Sequence, residues 1–231
     1  MKVVILAGGK GTRFSEYTKT MPKPMIKVNG KPIIHRIIDH YMKYGHKEFY
    51  IALGYKGKII SNYFKKKKFP KDIKINLIKT GLNTMTGGRL KRLKKFLKET
   101  FLMTYGDGLS NVNIEKLTKF HFKKKKLITL TAVRPPARFG AISVKKDIVG
   151  YFREKSSLDE GWINGGYFVV EPNFIQLIKN DETLLEQEPF LKVTKSKQMV
   201  AFKHFGFWQC MDTLRDKKIL DEKLKKNTQL V

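Results

Sequence analysis

An α/β fold, with a mixed, mostly parallel sheet flanked by helices, is what this sequence of 231 residues predicts. Three observations lead there. Apolar runs of strand length alternate with stretches of helical period, the runs show little inside-outside alternation, and polar, glycine-bearing segments follow two of the runs directly. Runs without alternation are expected where helices cover both faces of a parallel sheet, and ligands of such sheets lie beyond the carboxyl ends of the strands.

In chain order, Lys2–Ala7, Glu48–Leu53, Ile73–Ile78, Thr100–Tyr105 and Leu127–Val133 read as strands rich in Ile, Val, Leu and Phe. Helices fall between them. Pro32 suits a first helical turn, after which Ile33, Ile34, Ile37, Ile38, Tyr41 and Met42 make one apolar stripe that Gly45 ends. Further helical patterns cover about 57–64, 88–98 and 113–122. Beyond Pro135 the strands shorten to Gly140–Val144, Gly150–Phe152, Ile163–Val170 and Met199–His204, with helices at Pro172–Ile178, Leu184–Lys195 and Asp212–Lys225. No Pro/Gly/Ser-rich linker divides the chain and no internal repeat is visible, so one continuous fold with two lobes is expected.

Composition narrows the classes further. The 41% hydrophobic and 12% aromatic content supplies enough apolar area to offset the entropy of ordering, which excludes extended disorder. Cys210 is the single cysteine, so no internal disulfide exists, and no CxxC or HExxH spacing marks a zinc site. The apolar run Val3–Ala7 is too short for a signal-peptide core and no 18-residue apolar stretch follows, so a reducing, cytoplasmic setting without membrane association is expected. The 48 Lys and Arg against 20 Asp and Glu leave a net charge of +28. The runs Lys65–Lys68 and Lys123–Lys126 sit where helices end, which suits the negative end of the helix dipole and a solvated turn. Neither has interleaved aromatics, and no helix-turn-helix, zinc-finger or RNP-type signature occurs, so general polyanion attraction is expected rather than specific nucleic-acid reading.

The segment Leu6-Ala7-Gly8-Gly9-Lys10-Gly11-Thr12-Arg13 follows the first strand directly. A dinucleotide fingerprint counted from Gly9 fails at Phe14, and no Gly-Lys is followed by Ser or Thr as a Walker A requires. The physics of the loop remains: closely spaced glycines let backbone N–H groups approach a polyphosphate, and Lys10 and Arg13 add charge. Pro22 and Pro24 stiffen the chain around Lys23 and present its ammonium from an extended segment. Asp107, between Gly106 and Gly108 at a strand end, reads either as an open metal and nucleotide ligand or as a turn cap. Asp212 is its candidate partner for Mg²⁺ and also a candidate N-cap of the last helix. The five histidines lack ligand spacing, and no G-x-S-x-G elbow points to a hydrolase.

Gly8-Gly9-Lys10-Gly11-Thr12-Arg13, Pro22-Lys23-Pro24, Gly106-Asp107-Gly108, Phe152-Arg153-Glu154-Lys155 and Asn164-Gly165-Gly166 together resemble the sugar-1-phosphate nucleotidyltransferase family. Thr84 to Arg92, Arg138 to Ala141 and Gly206 to Asp216 are similar to its branch using CTP and glucose 1-phosphate. The resemblance implies a Rossmann-like fold of the nucleotide-diphospho-sugar transferase type, with a nucleotide-binding lobe over about 1–110 and a sugar-binding lobe over about 111–231. It implies that CTP and glucose 1-phosphate give CDP-glucose and pyrophosphate with Mg²⁺ held by Asp107 and Asp212. Arg13, Lys23 and Asp107 then carry the chemistry. Leu6 to Arg13, Lys23, Thr86, Arg89 and Gly106 contact the nucleotide, and Glu154, Lys155, Asn164 and Gly165 contact the sugar phosphate. The stretch between Gly57 and Thr86 is shorter than in that branch, which leaves a homo-oligomer open, and Ser156 stands where relatives have proline.

Overall fold

The computed structural model describes residues 1–136, 141–153, 161–227 and 230. Seven strands form one sheet: β1 (Val3–Ala7), β2 (Glu48–Leu53), β3 (Lys74–Lys79), β4 (Phe101–Tyr105), β5 (Ile128–Val133), β6 (Ile163–Val170) and β7 (Met199–Lys203), in the order β7-β5-β6-β4-β1-β2-β3. All neighbours are parallel except β6, which runs antiparallel to both β4 and β5. The mostly parallel sheet expected from the unalternating runs is therefore present.

Side chains of a strand alternate between faces, so each central strand feeds two cores. Val3, Ile5 and Ala7 of β1 join one core, and Val4 and Leu6 the other. The first core is covered by α1 (Ile33–Lys43), α2 (Gly57–Lys66), α4 (Ile114–Lys124) and α6 (Leu214–Lys226). The second is covered by α3 (Thr86–Arg92) and α5 (Glu188–Lys195). In α1 the spacing of Ile33, Ile34, Ile37, Ile38 and Tyr41 keeps all five buried, as the stripe requires. No described helix is long and apolar enough to cross a membrane.

Several boundaries differ from expectation for local reasons. Pro32 sits at the N-cap of α1 rather than inside it, because it closes a small antiparallel hairpin, Lys27–Val28 with Lys31–Pro32, across a left-handed Asn29-Gly30 turn. α3 starts two residues early, with Gly87 N–H donating to the Thr183 carbonyl at 2.9 Å, and stops at Arg92 before a 3₁₀ turn over Lys94–Phe96. The segment Pro172–Leu177 is 3₁₀ rather than α-helical. The helix expected from Leu184 begins only at Glu188, with Pro189 in its first turn.

At α6 the cap is Thr213, not Asp212. Thr213 Oγ1 accepts from Asp216 N–H at 3.2 Å while Asp216 Oδ2 accepts from Thr213 N–H at 2.9 Å, a reciprocal capping box. Asp216 Oδ2 also accepts from Asp212 N–H at 3.0 Å, so the Asp212 carboxylate is spared for other work.

Candidate active site

The loop after β1 lies at the carboxyl end of the sheet and lines a cleft of about 650 Å³ through Gly8, Gly9, Gly11, Thr12 and Arg13. Its shape is set from behind by Arg89, which is 4% exposed. One guanidinium nitrogen donates to the Gly8 carbonyl at 2.9 Å, and another donates to Thr80 Oγ1 at 2.8 Å and the Gly81 carbonyl at 2.7 Å. A buried guanidinium must spend its donors on acceptors, and here loop oxygens after β1 and β3 receive them. Tyr55 N–H adds a second bond to the Gly8 carbonyl at 3.0 Å. Gly8 has to be glycine on steric grounds, since a Cβ there would lie 2.2 Å from the guanidinium, whereas a Cβ on Gly9 would meet open space. Arg89 thus faces the cleft as the backing of the loop, with both terminal guanidinium nitrogens already bonded. Lys10 is exposed and lies outside the cleft lining.

A charged cluster is built by a pairing that joins distant parts of the chain. Trp208–Cys210 pairs antiparallel with Gly108–Ser110, Cys210 opposite Gly108, and Met211 N–H donates to the Asp107 carbonyl at 2.9 Å. That register sets Asp107 beside Asp212. Lys23, held in a 3₁₀ turn by Pro22 and Pro24, reaches between them: its ammonium donates to Asp107 Oδ2 at 2.7 Å and to Asp212 Oδ1. Arg13, 77% exposed at its side chain, places a guanidinium nitrogen 2.9 Å from Asp212 Oδ2. Burial alone would lower the Lys23 pKa, but attraction and hydrogen bonds from Asp107 and Asp212 outweigh it and raise the value above the ordinary lysine range. Burial likewise pushes Asp212 upward, and Lys23 and Arg13 overcome it, leaving the carboxyl below its ordinary value. Burial and the nearby carboxylates push the Cys210 thiol up to about 12, so it stays protonated.

The carboxylates fit a hard divalent cation. Asp107 Oδ2 and Asp212 Oδ1 already converge on one positive atom, the Lys23 ammonium, and oxygen donors suit Mg²⁺. Among the described residues no group of three or more His, Cys, Asp or Glu side chains is arranged to hold an ion. Mg²⁺ ordinarily uses one or two carboxylates and completes its shell with water and substrate phosphate, which matches this pair.

Two further groups line the cleft. Thr86 Oγ1 donates to Glu186 Oε2 at 2.8 Å and accepts from Leu185 N–H at 2.9 Å. Asn164 Oδ1 accepts from Gly166 N–H at 2.9 Å, and Trp208 Nε1 donates to the Gly165 carbonyl at 2.7 Å. Gly106 joins the floor, its N–H bonded to the Leu6 carbonyl at 3.2 Å. Leu6, Ala7, Gly106, Thr86, Asn164 and Gly165 therefore share the cleft with the cluster, while Glu154 and Lys155 lie outside the described residues. Tyr105, Glu186 and Trp208 also line it and were not among the expected site residues. Tyr105 and Trp208 sit next to segments that carried a signal. Glu186 lies in an unremarkable acidic stretch, and only the fold brings it to Thr86.

A glycine loop beside a charge-compensated carboxylate pair at the carboxyl end of a mostly parallel sheet defines an enzyme that handles nucleotide phosphates. The chain belongs to the nucleotidyl transferase family, whose model matches residues 2–209. It is 44% identical to the glucose-1-phosphate cytidylyltransferase of Salmonella typhimurium, over 96% of this chain and 95% of that protein. A probable glucose-1-phosphate cytidylyltransferase of Bacillus subtilis is 39% identical over 94% of this chain and 93% of that protein. Among solved structures, HddC from Yersinia pseudotuberculosis complexed with GMP-PN superposes with a TM-score of 0.74 at 26% identity, covering 96% of this chain and 99% of that one. A UDP-glucose pyrophosphorylase complexed with UDP-glucose has the same fold, with a TM-score of 0.75 at 18% identity, covering 97% and 98% of the two chains.

Proposed function

We propose that this chain transfers the cytidylyl group of CTP to glucose 1-phosphate, giving CDP-glucose and pyrophosphate. The observation that carries the reading is the near-full-length 44% identity to the Salmonella cytidylyltransferase, and the Lys23–Asp107–Asp212 cluster beside the glycine loop supports the chemistry.

A phosphate oxygen of glucose 1-phosphate is already anionic at neutral pH, so no general base is required. The obstacle is the approach of two polyanions. In the proposed reaction that oxygen attacks the α-phosphorus in line, and the bond from that phosphorus to the bridging oxygen breaks, pyrophosphate leaving with the electron pair. Catalysis then rests on positioning and charge neutralisation. Amides of Gly8, Gly9, Gly11 and Thr12 cradle the outgoing phosphates, and the exposed Arg13 guanidinium gathers them. Lys23 holds Asp107 and Asp212 in register and lends its charge to the reacting phosphates. Mg²⁺, when held by Asp107 and Asp212, supplies neutralising charge between the two substrates. Thr86 belongs to the nucleotide side of this reading, and Glu154, Lys155, Asn164 and Gly165 to the sugar-phosphate side.

Pyrophosphate release measured with CTP, UTP, dTTP and GTP, each against glucose 1-phosphate and Mg²⁺, tests the proposal. The highest kcat/KM is expected for CTP. A preference for dTTP or GTP would retain the reaction class and reject the cytidylyl assignment.

A further inference from the structure

Glu186 is a carboxylate in a cleft built for anions, and among the described residues no cation lies within ion-pair distance of it. Its two oxygens instead receive neutral hydroxyl donors. Thr86 Oγ1 donates to Oε2 at 2.8 Å, and the Tyr105 hydroxyl donates to Oε1. Both donors are fixed in direction. Thr86 Oγ1 accepts from Leu185 N–H, which leaves its hydrogen for Glu186. Burial, and then the charge of Glu186, push the Tyr105 pKa far up, so the phenol keeps its proton. Asn164 lies beside the same phenol, and its amide oxygen is held by Gly166 N–H at 2.9 Å.

The result is a continuous polar chain, Thr86–Glu186–Tyr105, on the cleft lining, with Asn164 beside its Tyr105 end. A carboxylate offers about four acceptor sites, and Thr86 and Tyr105 account for two. The remaining sites accept only. They repel phosphate and leave an unprotonated carbonyl oxygen unsatisfied, so the complementary ligand is a neutral group rich in donors. A sugar ring with adjacent hydroxyls is such a group. The chain leads to it, because Tyr105 immediately precedes Gly106-Asp107, where the sugar phosphate has to react, and shares the cleft lining with Asn164 of the sugar-phosphate side.

We infer that Glu186 is a specificity-determining residue that accepts hydrogen bonds from hydroxyls of the sugar ring, with Tyr105 and Thr86 holding its carboxylate in position. The inference rests on the proposed transferase reading and deepens it. Hydrogen bonds to a charged acceptor commonly carry one to two decades of discrimination, and a site built for a hydroxyl rejects the analogue that lacks it.

The test compares the parent enzyme, Glu186→Gln and Glu186→Ala with glucose 1-phosphate and its 2-, 3-, 4- and 6-deoxy analogues, with CTP and Mg²⁺ saturating. The parent is expected to lose about 10- to 100-fold in kcat/KM on at least one deoxy analogue. Glu186→Ala should show the same loss with glucose 1-phosphate and little additional loss with that analogue. Glu186→Gln, which keeps one acceptor oxygen and the shape, should fall between them. Equal losses on every sugar would overturn the inference in favour of a structural role, and a thermal melt identifies that outcome. A changed CTP-to-UTP ratio with an unchanged sugar profile would overturn it in favour of base reading. Absence of turnover by the parent with CTP and glucose 1-phosphate would instead reject the proposed function itself.

Discussion

Replacing Lys23 by methionine removes the one atom on which the Asp107 and Asp212 carboxylates converge. Side-chain exposure is 8% for Lys23, 17% for Asp212 and 32% for Asp107. Breaking a buried ion pair by deleting one partner costs roughly 3–5 kcal/mol, because the other charge is left uncompensated. Asp107 is a third exposed and solvent screens its share, so about 2–4 kcal/mol is expected here. At this chain length that corresponds to roughly 5–15 °C in Tm. The pH dependence has two signs. Asp212 has a lowered folded pKa, so its stabilisation is present at neutral pH and is lost as the pH falls through a value below 3.8. Lys23 has a raised folded pKa, so its contribution is complete below 10.5 and disappears as the pH rises through its folded value. The variant should lack the Lys23 part of the alkaline loss. It should also gain more Tm from added Mg²⁺ than the parent does, because two unpaired carboxylates bind a cation more readily and ligand binding stabilises the folded state. Turnover should fall by at least about 100-fold, the scale for removing a preorganised charge from developing negative charge. The assays are differential scanning calorimetry across pH with and without Mg²⁺, and pyrophosphate release. A variant that melts within about 2 °C of the parent and keeps its turnover would show that Lys23 neither holds the carboxylates nor serves the phosphates.

Asp107→Ala should nearly abolish turnover while the fold persists, since a partly exposed strand-end carboxylate is lost and no core volume; normal pyrophosphate release at saturating Mg²⁺ would contradict its role. Arg13→Ala removes a guanidinium 77% exposed, so Tm should hold while kcat/KM falls by roughly one to two decades. A change confined to Tm would make Arg13 structural. The two neighbouring glycines should part company. Gly8→Ala forces a methyl into the Arg89 guanidinium, which its hydrogen bonds pin, and should cost about 1–3 kcal/mol in denaturant unfolding. Gly9→Ala, with nothing within 4 Å, should leave unfolding unchanged and raise the KM for CTP. An unchanged KM in that variant would remove the loop from phosphate binding.

The sheet and much of its helical cover follow from local pattern along the chain. A strand buried on both faces must be apolar at every position, and an amphipathic helix must repeat its apolar residues at 3.6, so Val3–Ala7, Phe49–Leu53 and the α1 stripe were legible locally. The cleft positions of Gly8, Gly9, Gly11, Thr12, Arg13, Lys23 and Asp107 were legible as well, though not the outward turn of Lys10, because loops at strand ends carry glycine, proline and charge for reasons that act over a few residues. The tertiary structure decided everything that depends on register between distant segments. Whether Asp212 caps a helix or faces Lys23 was settled by Thr213 and Asp216 forming the capping box, and by Cys210 pairing with Gly108. Arg89 is a nucleotide-contact candidate in sequence, and only the fold shows that it sits beneath the glycine loop with its terminal nitrogens bonded to the Gly8 and Gly81 carbonyls. Glu186 carried no local signal, since a carboxylate in an acidic stretch has no period or spacing. Its chemistry arises only when the fold sets it between Thr86 and Tyr105, residues 100 and 81 positions away.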